Sequence, residues 1–183
     1  MSKAVVFFAE GTEECEALLV VDLLRRAKVD VTVASASGSR EILSSHKIRI
    51  TADALAEEVD YSDVDLVVLP GGIPGTPNLA ANKTVTDTCT AFAKSGKKVA
   101  AICAAPTLLA HWGLLNGKKA VCYPGLENRL TGAIPQQGVS LVQDGKVITA
   151  QGPGSAFDFG FYLIKTLAGA AREQEVHHGT YYR

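Results

Sequence analysis

Short apolar runs alternate along this chain with longer stretches in which apolar residues recur every three or four positions. Lys3 to Ala9 (KAVVFFA) is a compact run rich in β-formers and predicts a buried strand. After the polar turn Glu10 to Glu14, residues Cys15 to Ala27 (CEALLVVDLLRRA) carry helical periodicity and end in arginines that suit a helix C-terminus. Val29 to Ala36 and Val64 to Leu69 predict two more buried strands, the second stopped by Pro70-Gly71-Gly72. Residues Ile42 to Thr51 alternate in part and predict an edge strand or a hairpin.

Asn78 to Ser95 predicts a helix closed by Gly96, Lys98 to Ile102 a strand, and Thr107 to Leu115 a further helix. Gly138 to Ala150 predicts a β-hairpin around Asp144-Gly145. A last long helix is expected over Ser155 to Ala168, with a solvated tail beyond it that includes His177 and His178. Strands alternating with helices of this length predict an α/β fold with a mainly parallel sheet covered on both faces. No repeat, linker or low-complexity segment interrupts the 183 residues, so one domain is expected over 1–183.

Composition narrows the function classes. The chain is 47% hydrophobic and 20% charged, enough apolar material for a sizeable core. Its formal net charge is −1, and no Lys/Arg-rich block offers a footprint for nucleic acid or an anionic membrane. No apolar run approaches the ~18 residues of a bilayer span. The four cysteines, Cys15, Cys89, Cys103 and Cys122, match no paired CxxC or zinc spacing. Without a signal-peptide pattern at the start, the expectation is a cytoplasmic protein with reduced thiols.

In open α/β sheets, chemistry lies outside the carboxyl ends of the strands. Three loops leave such ends: EGTEECE after the first strand, PGGIPG after VVL, and CAAPT after VAAI. Cys103 opens the third. A buried cysteine is ordinarily a small hydrophobe. A cysteine on a strand-to-helix turn, with unpaired backbone N–H groups and a helix dipole near it, is instead a nucleophile in which the thiolate is favoured. The mechanics are those of the nucleophile elbow, with Ala101 and Ala105 where that motif has glycines. Cys15, Cys89 and Cys122 have no comparable setting.

Gly71 and Gly72 fit a tight turn, or backbone N–H groups offered to an anion. Glu13, Glu14 and Glu16 crowd one helix start. Charge complementing the helix dipole accounts for at least one of them. If Glu16 instead points inward among apolar groups, its pKa rises and it serves as a proton carrier or hydrogen-bond donor to the thiolate. His111 fits a helix end, and no histidine spacing supports a metal site. Gly152-Pro153-Gly154-Ser155 precedes a helix and suits an entry turn better than an anion site, because proline lacks a donor.

Taken together, AEGTEECEA (9–17), LRRA (24–27), VVLPGG (67–72), AAICAAPT (100–107) and QGPGSAFDFG (151–160) resemble, in order, the motifs of the ThiJ/PfpI superfamily. The similarity is strongest to its branch of parkinsonism-associated deglycases and their bacterial YajL-like relatives. The resemblance implies a flavodoxin-like three-layer sandwich and a homodimer. It implies that Cys103 is the reactive, oxidisable cysteine, with Glu16 as its partner acid. Gly72 and Ala104 would supply backbone N–H groups, with Gly71 and Tyr123 behind them. The implied activities need no metal or organic cofactor: glyoxalase conversion of methylglyoxal to lactate, or removal of early α-oxoaldehyde adducts from proteins and nucleotides. Redox-sensing and chaperone roles in oxidative stress are also attributed to the family. Two positions depart from its pattern. Tyr123-Pro124 stands where many relatives have His-Pro, which argues against Cys–His peptidase chemistry, and His46 stands where relatives often have an arginine near the dimer interface.

Overall fold

A computed structural model describes residues 1–182. In chain order the elements are β1 (Lys3–Phe8), α1 (Glu14–Arg26), β2 (Asp30–Ser35), β3 (Glu41–Leu43), β4 (Arg49–Thr51), β5 (Ala54–Leu55) and β6 (Leu66–Leu69). They continue with α2 (Gly75–Ala81), α3 (Lys83–Ser95), β7 (Lys98–Ile102), α4 (Pro106–His111), β8 (Lys119–Ala120) and β9 (Ile134–Pro135). The hairpin β10 (Leu141–Asp144) and β11 (Val147–Ala150) then leads to α5 (Ala156–Ala168) and α6 (Ala170–Gly179).

Seven strands form the central sheet in the order β10-β11-β7-β6-β1-β2-β5, parallel throughout except for the β10–β11 hairpin. Side chains of a strand alternate between faces, and both faces here are buried. Ala4, Val6 and Phe8 of β1 join the core under α1 and α5, while Val5 and Phe7 join the core under α3 and α4. Leu66 and Val68 divide from Val67 and Leu69 of β6 in the same way. The outcome is a three-layer α/β sandwich of flavodoxin-like type.

The segment 42–51 takes one of its two expected forms, the hairpin β3–β4, in its own two-stranded sheet. Three predicted elements come out differently. The helix expected over 78–95 breaks at Asn82, whose side chain accepts from the Val85 N–H at 3.1 Å and starts α3 afresh. The helix expected over 107–115 stops at His111, because Gly113 takes a φ of 73° that helix interiors do not use. The tail forms α6 and packs on α5, with the His177 ring 4.7 Å from that of Phe161. Among the described residues no helix is long and apolar enough to cross a membrane.

The neighbours β11, β7, β6 and β1 are parallel, so the loops after them emerge side by side at one edge. These are residues 9–13, 70–74, 103–105 and 151–155.

Candidate active site

Cys103 follows β7 at a φ of 66°, the left-handed region that costs a non-glycine residue about 1–2 kcal/mol. The strain is held from both sides. The Cys103 N–H donates to the Ala150 carbonyl at 3.0 Å, and the Tyr123 N–H donates to the Cys103 carbonyl at 2.7 Å. Ala101 and Ala105, both fully buried, leave room for the sharp turn. Cys103 is 9% exposed, so the sulfur lies at the edge of the interior rather than deep within it.

Glu16 comes from the first turn of α1. The Glu13 carboxylate caps that turn by accepting from the Glu16 N–H at 2.7 Å. Glu16 itself is fully buried and directed at the elbow, where its Oε2 accepts from the Gly71 N–H at 2.9 Å. Its Oε1 is buried without a hydrogen-bond partner among the described residues.

Gly71 has to lack a side chain. A Cβ there would lie 2.6 Å from Cys103 Cβ, 2.6 Å from Glu16 Oε2 and 2.9 Å from Cys103 Sγ. Gly72 is constrained by backbone, with a φ of 101° and a Cβ position that would overlap Glu13 N and Gly11 O. The backbone N–H groups of Gly72 and Ala104 near the sulfur favour its charged form. The structure thus brings Cys103, Glu16, Gly71, Gly72 and Ala104 to one point, with Tyr123 bordering it.

Protonation is set by two opposing influences. Burial pushes the Glu16 carboxyl up to about 7, against the hydrogen bonds with Cys103 and the Gly71 N–H. Burial, followed by the charge and hydrogen bond of Glu16, pushes the Cys103 thiol up to about 12, against the Ala104 and Gly72 N–H groups. This differs from the free thiolate expected from the sequence. The expected helix dipole is also small, since α4 begins three residues later at Pro106 and has only six residues. The two groups are coupled: an ionised Glu16 disfavours the Cys103 thiolate, and protonation of Glu16 removes that repulsion.

The loop 151–155 was missed as a site element. It follows β11, whose place beside β7 is a matter of topology, and the sequence signals only a helix-entry turn. Gly152 lies against the site: a Cβ there would be 3.2 Å from Tyr123 Cδ2 and 3.9 Å from Glu16 Oε1. The other cysteines stay apart from it. Cys89 and Cys122 are buried, Cys15 is exposed on α1, and all four thiols are free. His46 lies on the β3–β4 turn with its Nδ1 2.7 Å from Glu14 Oε1, outside the Cys103 site. Glu13, Glu14 and His46 do approach one another closely enough to hold a metal ion, a grouping the sequence spacing did not reveal.

The chain matches the DJ-1/PfpI family over residues 2–166. It belongs to that family. It is 38% identical over 181 residues to protein dj-1beta of Drosophila melanogaster, covering 98% of this chain and 97% of the fly protein. It is 30% identical over 169 residues to the glutathione-independent glyoxalase DJR-1.2 of Caenorhabditis elegans, covering 92% and 89% of the two chains. Some relatives are longer: the chain is 38% identical over 175 residues to DJ-1 homolog B of Arabidopsis thaliana, covering 95% of this chain and 40% of the plant protein. The oxidised DJ-1 structure of Toxoplasma gondii superposes with a TM-score of 0.95 at 32% identity, covering 100% of this chain and 99% of that one. Family members thus include a protein named as a glyoxalase.

Proposed function

We propose that this DJ-1/PfpI protein is a cofactor-free, cysteine-dependent enzyme acting on small α-oxoaldehydes or their early adducts, of glyoxalase or deglycase type. The observation that carries the reading is the buried acid–thiol pair: Glu16, fully buried and pushed up to about 7, beside Cys103 on a strained elbow. A carboxyl that titrates near neutral pH can both give and take a proton there.

With the proton on Glu16, the Cys103 thiolate adds to the aldehyde carbon and forms a C–S bond. The N–H groups of Gly72 and Ala104 stabilise the developing oxyanion, which takes the Glu16 proton and becomes a hemithioacetal. The Glu16 carboxylate then removes the hydrogen from that carbon. An enediol forms, and the proton returns to the neighbouring carbon. The product is a thioester of the 2-hydroxy acid, and water cleaves it to release lactate and regenerate the thiol. The deglycase reaction starts from the adduct and uses the same groups.

Lactate formation from methylglyoxal by wild type, Cys103→Ser and Glu16→Gln tests this. Loss in both variants is expected, and equal turnover in all three would sink the enzymatic reading. A redox-sensor or chaperone role is the second reading. Its support is that the same N–H groups and a protonated Glu16 would hold a Cys103 sulfinate through charge-assisted hydrogen bonds. Its mark is a gain of two oxygens confined to Cys103 under mild peroxide, without turnover. The homodimer belongs to the same proposal: Cys15, Leu18, Ile48 and Phe157 line an apolar groove of about 580 Å³ beside α1, suited to a second copy. Sedimentation of wild type and Leu18→Glu measures it, with dissociation expected in the variant.

A further inference from the structure

The rim holds a cleft that a three-carbon dicarbonyl does not fill. It encloses about 270 Å³ and is lined by Tyr123, Pro124, Ser140, Gln151, Gly152 and Pro153, with the turn continuing to Ser155. At ~30 Å³ per water, that is room for about nine water-sized groups, against five non-hydrogen atoms in methylglyoxal.

The lining chooses among ligand types. None of its residues carries a formal charge at neutral pH, so a phosphate or an ammonium finds no counter-ion. The turn is also closed on itself. Ser155 Oγ accepts from the Gly152 N–H at 3.1 Å and donates to the Gly152 carbonyl at 2.9 Å. That N–H is therefore not offered to an anion.

What the cleft does present is an aromatic ring, that of Tyr123. Tyr123 is 48% exposed, yet its backbone is tied to the Cys103 carbonyl and its ring lies against Gly152. The same glycine borders Glu16 Oε1, the buried oxygen without a partner. Gly152 therefore lies next to both the cleft and the Glu16 carboxyl of the acid–thiol pair.

We propose that this cleft is a subsite for the part of the substrate beyond the dicarbonyl, and that Tyr123 selects an uncharged, planar group there, such as an aryl ring. The proposal rests on Cys103 as the reacting group. Tyr123 is a specificity residue in it, acting through stacking, which is worth about five- to tenfold in affinity.

The test separates the subsite from turnover. Alkylation of Cys103 by iodoacetamide and by its N-phenyl derivative is followed by peptide mass spectrometry, and the rate ratio is divided by that of N-acetylcysteine. The normalised preference for the phenyl reagent is expected at about five- to tenfold in wild type, near unity in Tyr123→Ala, and retained in Tyr123→Phe. In turnover, Tyr123→Ala is expected to raise KM for phenylglyoxal by a similar factor relative to its effect on KM for methylglyoxal. A wild-type ratio near unity, or a ratio unchanged in Tyr123→Ala, overturns the subsite. An intact ratio without lactate or mandelate formation sinks the enzyme reading and leaves the subsite standing. A thiol inert to both reagents sinks both.

Discussion

Glu14 and Glu16 lie two positions apart at the start of one helix, and both are buried, at 7% and 0% exposure. Their charges are nevertheless pushed in opposite directions. Successive α-helical residues are about 100° apart, so these two face nearly opposite ways. Glu14 turns to the β3–β4 hairpin, where Ser45 Oγ at 3.1 Å, the His46 N–H at 3.4 Å and the His46 ring all meet its carboxylate. Burial works to raise its pKa, but hydrogen bonds from its own N–H, Ser44, Ser45 and His46 outweigh it and hold the carboxyl below its ordinary value. Glu16 turns to the elbow and finds one N–H, a thiol and an unpartnered oxygen, so burial wins. Burial alone therefore does not decide the charge of an acid; the number of donors waiting for it does.

The widest separation between the two is expected in activity. Glu16→Gln should lower lactate formation by about 10²–10⁴-fold, the usual worth of a positioned acid–base group. Glu14→Gln should leave it within about threefold. Equal losses in steady-state assays would erase the distinction.

The pH dependence of stability comes next. Glu16 binds its proton more tightly folded than unfolded, so its contribution is complete below 4.5 and is lost as pH rises toward about 7. Across that window, wild-type stability should fall by about 3 kcal/mol relative to Glu16→Gln, as measured by urea unfolding. Gly71→Ala pushes a methyl between Cys103 and Glu16 and should cost about 1–3 kcal/mol, with slower Cys103 alkylation.

Glu14 should behave with the opposite sign. Its contribution is present above the ordinary carboxyl value of 4.5 and disappears as pH falls below it. Glu14→Gln should therefore lose about 1–2 kcal/mol at neutral pH and approach wild type in acid, in the same unfolding series. The smallest effect is expected from His46→Ala, about 1 kcal/mol or less, because the ring is 71% exposed while the hairpin N–H and hydroxyl donors remain.

The central strands were legible because β1, β6 and β7 are buried on both faces and therefore consist of continuous apolar residues. The break at Asn82 was not, although asparagine is a good N-cap. Apolar periodicity runs on through that position, and only the packing of α2 and α3 shows that the cap prevails. The tail looked solvated because α6 has few apolar residues. Buried Val176 and the rings of His177 and Tyr182 nevertheless pack the tail against α5. At the site, three of the four rim loops stood out by their residue types. Residues 151–155 required knowing that β11 pairs with β7.

Local chemistry settled what each segment is able to be: which runs must be covered, where backbone turns need glycine, and which side chains can carry a proton or a sulfur anion. Those properties belong to single residues and their near neighbours. Which glutamate meets the thiol, how many donors reach each carboxylate and what lies across from Tyr123 depend on groups brought together from distant parts of the chain. Only the folded arrangement decides them, because electrostatic and hydrogen-bond energies follow distance in space and exclusion of water.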